Sequence, residues 1–239
     1  MGRTEFNFQQ FSVRQADCAM KLGTDSVLLG AWCDVGAARR ILDVGTGCGI
    51  VALMAAQKNK SAQIDAIEID EAAAREAAFN FECSKWGSRL KTIHADFLMF
   101  APAEPYDAIV SNPPFFNSGA LAPNKRRAVA RHTETLPFER LFRHVAKLLS
   151  ENGKFSMIAA FDAKSEVEFW AGECNLWICR RAGVRTTPEK PIRRYLWEFS
   201  KRPATLVEEE ISIQDELGSR TACYRELTRD FYLQDARNE

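Results

Sequence analysis

The sequence predicts an α/β protein built on a mostly parallel, seven-stranded sheet that has helices on both faces and ends in an antiparallel hairpin. Three observations lead to this prediction. Short runs rich in β-branched residues alternate with stretches of helical apolar periodicity from residue 39 onward. A glycine-rich turn follows the first of these runs. The last two strand-like runs are separated by a link that is too short to hold a helix.

The parallel part of the sheet is predicted from five strand candidates with helix candidates between them. The strands are expected at 40–44, 63–68, 90–94, 107–111 and 154–159. The helices are expected at about 49–58, 71–84 and 138–149. Strands that alternate with helices form right-handed βαβ units, so these strands should run parallel, with helices on both faces of the sheet.

The antiparallel hairpin is predicted at one edge of the sheet. A helix candidate at 163–172 is followed by strand-like runs at 176–186 and 193–201, with Pro188 and Pro191 in the short link between them. Two strands joined by so short a link pair antiparallel, because a parallel crossover needs a dozen or more residues. A dinucleotide-binding dehydrogenase would instead continue with another crossover helix.

The chain is expected to form one domain, 1–239, with short additions at both ends. The N-terminal extension, 1–38, contains a helix that starts at Thr24 or Asp25, which are residue types suited to capping. The C-terminal appendage, 203–239, contains a charged strand-like piece followed by a short helix and is too small to be a domain.

Composition narrows the class of protein and its surroundings. The seven cysteines form no Cys-x-x-Cys pair and no zinc set, so we expect no metal and a reducing, cytoplasmic compartment. No apolar run reaches the ~18 residues of a membrane span, so we expect no membrane partner.

The net charge is zero, yet residues 121–202 hold 17 Lys and Arg against 9 Asp and Glu. A polyanion would therefore meet a local basic surface.

A cofactor site is predicted at the turn after the first strand. Gly45, Gly47 and Gly49 allow positive φ angles and let a ligand lie against bare backbone. Their Gly-x-Gly-x-Gly spacing differs from the Gly-x-Gly-x-x-Gly of dinucleotide-binding proteins. Asp43 precedes the first glycine by two residues, where its carboxylate can accept a hydrogen bond from a cationic amino group.

Further acidic residues are predicted at the same edge of the sheet. Glu68 ends the second strand about twenty residues beyond the glycines, the distance at which an acid can hold both hydroxyls of a ribose, and Ile69 follows it. Asp96 ends the third strand and can accept from an adenine amino group, with Phe97 lining the ring. Asp70 is better interpreted as the N-cap of the next helix. These acids and the three glycines predict a nucleoside ligand.

The stretch Asn112-Pro113-Pro114-Phe115 indicates the chemistry. An amino group conjugated to a ring is a poor nucleophile because its lone pair is delocalised. The side-chain oxygen of Asn112 and the carbonyl oxygen of Pro113 can accept hydrogen bonds from the two N–H groups of such an amino group. These bonds direct the lone pair of the nitrogen at an electrophilic methyl group. The prolines fix the backbone that carries these acceptors, and Phe115 can stack on the base. The alternative interpretation is that this stretch is only a rigid turn after a strand, but the position of the stretch beside the glycine loop favours a catalytic role.

These motifs resemble those of the Rossmann-like class I S-adenosylmethionine-dependent methyltransferases that act on the amino groups of adenine, cytosine or glutamine. Four flanking stretches narrow the resemblance to the bacterial tRNA methyltransferase family that modifies N6 of adenine 37 in tRNA(Val). These stretches are 8–11, 18–32, 131–138 and 230–233. The resemblance covers nearly the whole chain. It implies S-adenosylmethionine as the cofactor and tRNA as the partner, and we expect a monomer.

The resemblance also implies roles for the N-terminal extension. It should cover the cofactor pocket, with Gly23, Thr24 and Asp25 near the cofactor. The alternative interpretation is that Thr24 and Asp25 only cap a helix. Asn112 is expected to contact the cofactor as well as the target base.

Two basic segments are candidates for RNA binding. The loop after the catalytic turn carries Lys125, Arg126, Arg127, Arg131 and His132. The hairpin region carries Arg180, Arg181, Arg185, Lys190, Arg193, Arg194, Lys201 and Arg202. A charge run is more often a solvated face, but proximity to the catalytic turn favours RNA contact for the first segment. An adenine in an anticodon loop is already unpaired, so placing it beside Phe115 costs less than flipping a base out of a duplex.

Other functions remain open on the sequence. An inactive RNA-binding scaffold would be expected to have degraded glycine or Asn-Pro-Pro motifs, and both are intact. N-methyltransferases of ribosomal RNA or of a protein glutamine can share the catalytic turn, although a glutamine enzyme would not need a basic loop after it. A DNA adenine methyltransferase should carry a target-recognition insertion, for which this chain has no room.

Overall fold

A computed structural model of the protein, which describes residues 4–16, 18, 21–113 and 136–233, contains a small N-terminal hairpin and one large sheet. The hairpin consists of β1 (Glu5–Asn7) and β2 (Ser12–Arg14). The strands of the large sheet are β3 (Arg40–Val44), β4 (Gln63–Glu68), β5 (Leu90–His94), β6 (Tyr106–Ser111), β7 (Leu149–Ala160), β8 (Trp177–Arg185), β9 (Arg194–Ser200) and β10 (Val207–Ser212). The helices in the described ranges are α1 (Thr24–Trp32), α2 (Ile50–Lys58), α3 (Glu71–Glu82), α4 (Phe138–Leu148), α5 (Lys164–Glu173) and α6 (Ala222–Thr228).

The parallel half of the large sheet confirms the prediction. Strands β5, β4, β3, β6 and β7 lie side by side in this order and pair in parallel. The bounds of β3, β4 and β5 agree with the predicted ranges, whereas β7 begins earlier, at Leu149. Because these strands are parallel, their carboxyl ends meet at one edge of the sheet. This edge is called the rim below.

The antiparallel hairpin is confirmed, but it does not end the sheet. β9 lies between β7 and β8 and pairs antiparallel with both. β10, from the C-terminal appendage, pairs in parallel with β8 as an eighth strand, one more than the seven predicted. The pairing places the glutamates at 208–210 beside the arginines of β8. Opposite charges across neighbouring strands favour this register.

The two faces of the sheet are covered by different helices. Ile41 of β3 belongs to the core beneath α1, α2 and α3, and the next residue, Leu42, belongs to the core beneath α4 and α5. Successive side chains of a strand point to opposite faces, so a strand that is covered on both faces is apolar at consecutive positions. Among the described residues, no helix has the length and apolar character needed to cross a membrane.

The two ends of the chain pack against each other. The ring of Phe8 stacks on that of Tyr232, with the centroids 5.9 Å apart. The side-chain amide of Gln9 donates to the carbonyl oxygens of Arg229 and Tyr232, each at 2.6 Å. The N-terminal extension is therefore joined to the C-terminal appendage, on the face that carries α1.

Candidate active site

The turn after β3 contains three glycines in the left-handed region of backbone conformation. The φ angles of Gly45, Gly47 and Gly49 are +70°, +57° and +86°. A Cβ atom at Gly45 or Gly47 would meet no described atom within 4 Å, whereas one at Gly49 would lie 2.5 Å from Cε1 of Phe81. Gly49 therefore packs against α3, and the other two glycines leave bare backbone facing open space. This open backbone at the rim is called the cradle below, and a ligand can approach it closely.

Asp43 supports the glycine loop from inside the sheet. Asp43 is only 1% exposed. Its Oδ2 accepts hydrogen bonds from the Thr46 hydroxyl at 2.6 Å and from the Ala52 amide at 3.1 Å. Burial raises the pKa of Asp43 to about 7, against the lowering effect of these two hydrogen bonds. The structure thus gives Asp43 a role in holding the loop. Its expected contact with an amino group of the ligand stays a prediction.

Glu68 ends β4 with its carboxylate beside the cradle. Oε2 accepts a hydrogen bond from the Gly47 amide at 2.9 Å, and Oε1 accepts from the amides of Ile69 and Asp70 at 2.9 and 3.0 Å. The carboxylate therefore lies beside the cradle, and Ile69 is exposed next to it; the contact of Glu68 with ribose hydroxyls stays a prediction. Asp70 is confirmed as the N-cap of α3, since its side chain accepts from the Ala73 amide at 2.9 Å.

Asp96 follows β5, and the surroundings of the next side chain, Phe97, differ from the prediction. Oδ1 of Asp96 accepts from the Leu98 amide at 2.9 Å and caps a short 3-10 turn. The ring of Phe97 is 5% exposed and packs edge-on against His144, with the centroids 4.7 Å apart. The ring thus belongs to the core beneath α4 and offers little exposed surface to a ligand at the rim. The expectation that Phe97 lines the ligand's ring with its side chain is corrected accordingly.

Asn112 lies directly after β6, at the rim. Its Nδ2 donates a hydrogen bond to the hydroxyl oxygen of Ser26 at 2.9 Å. Its Oδ1 is buried and accepts no hydrogen bond from the described part of the chain. A buried acceptor without a donor is costly and uncommon, so this atom points to a donor supplied by a ligand. Pro113 is buried beside it, and the predicted Pro114 and Phe115 lie outside the described residues.

The start of α1 lies close to Asn112 and is fixed by a salt bridge. The N-cap of the helix is Gly23, which makes no side-chain capping bond, so the interpretation of Thr24 and Asp25 as caps is wrong. Oδ2 of Asp25 instead accepts from Nε of Arg194 at 2.9 Å and ties the helix to β9. The expectation that Gly23, Thr24 and Asp25 lie near the cofactor stays a prediction.

Asn80 of α3, which was not predicted as a site residue, joins the N-terminal extension to the glycine loop. Its Nδ2 donates to the carbonyl oxygens of Arg14 and Cys48, each at 2.8 Å, and its Oδ1 accepts from the Arg14 amide at 2.9 Å. The side chain therefore bridges two segments that are far apart in the sequence.

Glu76, one helical turn before Asn80, holds the same extension. Its two carboxylate oxygens accept from the backbone amides of Ala16 and Cys18 at 2.6 and 2.8 Å. A signal for both residues exists in the sequence, because they are spaced four apart on the helix face that otherwise buries Ala73, Ala77 and Phe81. Polar residues inside an apolar stripe are buried only with hydrogen-bond partners.

Over the described ranges, no cluster of three or more His, Cys, Asp or Glu side chains could hold a metal ion.

The basic surface predicted around the hairpin is largely neutralised by β10. Arg180 pairs with Glu209 at 2.8 Å and Arg185 with Glu210 at 2.6 Å. Arg181 pairs with both Glu208 and Glu168. The physical reason is the parallel register of β8 and β10, which places a row of carboxylates along the row of arginines. These arginines are therefore corrected from RNA contacts to structural partners of the eighth strand.

The rim end of the hairpin keeps an exposed aromatic and cationic surface. Phe161, after β7, is 46% exposed and stacks on Tyr195 with the centroids 5.8 Å apart. Its amide donates to the carbonyl oxygen of Arg193 at 3.0 Å. Arg193 and Lys190 are exposed, and neither forms an ion pair within the described segments. The predicted RNA contacts in the other basic segment lie outside the described residues, namely Lys125, Arg126, Arg127, Arg131 and His132.

The chain has sequence relatives among methyltransferases. A family model described as the methyltransferase small domain matches residues 11–169. The chain is 41% identical to the tRNA1(Val) (adenine(37)-N6)-methyltransferase of Bacteroides thetaiotaomicron, over 98% of this chain and 99% of that protein. It is 39% identical to the protein of the same name from Trichodesmium erythraeum, over 98% and 99% of the two chains.

Solved structures share the architecture. A predicted O-methyltransferase from Agrobacterium tumefaciens superposes with a TM-score of 0.69 at 18% identity, over 87% of this chain and 96% of that one. A ribosomal protein L11 methylase from Lactobacillus delbrueckii subsp. bulgaricus superposes with a TM-score of 0.56 at 18% identity, over 79% and 83%. At these identities the likeness shows the fold alone, which is that of the Rossmann-like methyltransferases.

Proposed function

This chain belongs to the methyltransferase small-domain family and, within it, to the tRNA1(Val) (adenine(37)-N6)-methyltransferases, and we propose that it methylates N6 of adenine 37 in a valine tRNA. It is an S-adenosylmethionine-dependent enzyme. The observation that carries the proposal is the buried Oδ1 of Asn112 at the rim, which has no hydrogen-bond partner among the described residues. An exocyclic amino group supplies the N–H donor that this acceptor needs.

The cradle fits S-adenosylmethionine. The bare backbone at Gly45 and Gly47 leaves room for the ligand, and the Glu68 carboxylate, which lies beside Gly47, would accept hydrogen bonds from the ribose hydroxyls. Asp96 stands at the end of the next strand, where it would accept from the adenine amino group of the cofactor. When bound, the cofactor supplies a methyl group on a positively charged sulfur, which is a strong electrophile.

Asn112 and Pro113 would activate the target nitrogen without acting as bases. Oδ1 of Asn112 and the carbonyl oxygen of Pro113 would accept hydrogen bonds from the two N–H groups of the adenine amino group, so that its lone pair turns out of the ring plane toward the methyl donor. The transfer would replace one N–H hydrogen of the amino group by the methyl group, and the displaced proton would go to water. Preorganised polar groups of this kind contribute about 10²–10³-fold to kcat each.

The surface at Phe161 and Arg193 suits an unpaired RNA loop. An exposed ring can stack on a base that neighbours the target, and such stacking contributes roughly 1–3 kcal/mol per base. Arg193 can contact phosphate, while Arg194 is held by Asp25 and is less suited to that role. The basic residues at 125–127 and 131–132 would add phosphate contacts.

The proposal is tested by assaying the protein on two transcripts of tRNA(Val), one with adenine and one with guanine at position 37. Each is incubated with methyl-labelled S-adenosylmethionine, digested and analysed by mass spectrometry. We expect N6-methyladenosine only in the adenine-37 transcript. The Asn112→Ala variant should lose it, and the variant of an exposed asparagine, Asn7→Ala, should keep it.

Three results would contradict the proposal. Label in the guanine-37 transcript would place the target elsewhere in the tRNA. No label in either transcript, with S-adenosylhomocysteine binding intact, would reject the tRNA and direct attention to ribosomal RNA and protein glutamine substrates. Full activity of Asn112→Ala would remove the catalytic role of the turn.

A further inference from the structure

The side-chain amide of Asn112 has one hydrogen-bond partner among the described residues, the hydroxyl of Ser26. Ser26 is the third residue of α1 and lies 86 positions away in the sequence, and its oxygen accepts from Nδ2 of Asn112 at 2.9 Å. We propose that Ser26 is a positioning residue, which holds the amide so that Oδ1 faces the amino group to be methylated. This inference rests on the function proposed above.

The orientation of the amide decides whether Asn112 can serve as an acceptor. The two ends of a side-chain amide have nearly the same shape, but one end donates and the other accepts. If Nδ2 faced the substrate, its hydrogens would oppose those of the adenine amino group, and the lone pair would not be redirected. The bond to Ser26 occupies the donor end and leaves Oδ1 buried and open to a donor.

The hydroxyl of Ser26 stands on a rigid support. The preceding residue, Asp25, is bound to Arg194 of β9 at 2.9 Å. The three residues that follow Ser26, at 27–29, are fully buried in the core. The start of α1 is thus fixed to the sheet on one side and to the core on the other, so the oxygen is held in place relative to the end of β6.

A purely structural role for the hydroxyl is not supported by its contacts. The N-cap of α1 is Gly23, and no side chain caps this helix. Alanine is a better helix former than serine, so loss of the hydroxyl does not by itself weaken α1. The hydroxyl therefore serves the amide of Asn112 rather than the helix.

The test compares Ser26→Ala, Ser26→Cys and Ser26→Thr with the wild type and with Ser61→Ala, an exposed serine far from the rim. Single-turnover rate, kcat, KM for tRNA(Val), the dissociation constant of S-adenosylhomocysteine and Tm are measured for each. The resonance of the Asn112 side-chain amide, assigned with the Asn112→Ala variant, is followed as a readout that needs no turnover.

We expect kcat to fall about tenfold or more in Ser26→Ala and Ser26→Cys, because small displacements of a positioning group have effects of this size. The KM, the dissociation constant and Tm should stay near wild type, and the Asn112 amide resonance should shift. Ser26→Thr keeps the hydroxyl and should retain most of the rate, as should Ser61→Ala.

Failure of the inference is distinguishable from failure of the proposed function. If the wild type forms no N6-methyladenosine, the proposed function is wrong. If the wild type is active and Ser26→Ala and Ser26→Cys keep its kcat, the positioning role is wrong. Loss of folding in both variants, or an equal loss of rate in Ser26→Thr, would show that the residue serves packing and would likewise overturn the inference.

Discussion

Alanine at Gly47 or Gly49 separates the binding role of the glycine loop from its packing role. Both residues have positive φ, +57° and +86°, and a side chain in this region costs roughly 1–2 kcal/mol. At Gly47 the new methyl group meets nothing described within 4 Å, so the loss of unfolding free energy should stay in that range. The methyl group would, however, project into the cradle.

At Gly49 the same strain is joined by a collision. The Cβ would lie 2.5 Å from Cε1 and 2.9 Å from Cζ of Phe81, a ring that is 2% exposed and cannot move aside. Overpacking of this kind costs about 1–3 kcal/mol, so Gly49→Ala should lose about 2–5 kcal/mol in total. Its affinity for S-adenosylhomocysteine should change less than that of Gly47→Ala, which should fall about tenfold or more, or ~1.4 kcal/mol.

Urea unfolding and calorimetric titration with S-adenosylhomocysteine measure the two effects separately. Gly172→Ala is the matched control, because Gly172 lies in α5, has no positive φ and has free space for a methyl group. It should be neutral or stabilising by up to about 1 kcal/mol. Equal stability losses at Gly47 and Gly49 would refute the steric reasoning, and unchanged binding in Gly47→Ala would refute the assignment of the cradle.

Three further predictions concern Asp43, Asn80 and Phe161. Because burial raises the pKa of Asp43 to about 7, above an unfolded value of about 3.9, the native state holds this proton more tightly. Stability should therefore decline as pH rises from about 4 to about 7, and urea unfolding of Asp43→Asn should show a flatter dependence; an unchanged slope would contradict this. Asn80→Ala removes the hydrogen bonds of this side chain to the backbone of Arg14 and to the Cys48 carbonyl and should cost about 1–3 kcal/mol. Hydrogen exchange at the Arg14 amide should accelerate, and full protection would argue against the bridge. Phe161→Ala should weaken tRNA binding about 5–150-fold with S-adenosylhomocysteine binding unchanged. Phe169→Ala, which removes an exposed ring of α5, should bind tRNA normally in a filter-binding assay; equal effects of the two variants would exclude a specific stacking surface at Phe161.

The parallel strands were predictable because each is a short apolar run bounded by turn residues. β3 and most of β4 are buried on both faces, and such strands are recognisable without knowledge of their neighbours. The role of Asp70 as the N-cap of α3 was also predictable from a local signal, since a cap depends on the residues within one helical turn. The carboxylate of Glu68 and the amide of Asn112 were located because the strand ends that carry them were located.

The remaining features depend on pairs of residues that are distant in the sequence. The arginines of β8 seemed to form a basic surface because the glutamates of β10 that pair with them lie more than twenty residues later. The ring of Phe97 was assigned to a ligand because nothing in the sequence reveals its contact with His144. Ser26 was overlooked beside Thr24 and Asp25, since its partner lies at the end of β6.

The contact between the two ends of the chain imposes an order on synthesis. The partners of Phe8 and Gln9 include Arg229 and Tyr232, so the N-terminal segment cannot complete its packing until residues as far as Tyr232 have left the ribosome. The central sheet, whose first strands are adjacent in sequence, can assemble earlier. A nascent or truncated chain would therefore present a glycine loop whose N-terminal neighbour, held by Glu76 and Asn80, lacks its C-terminal support.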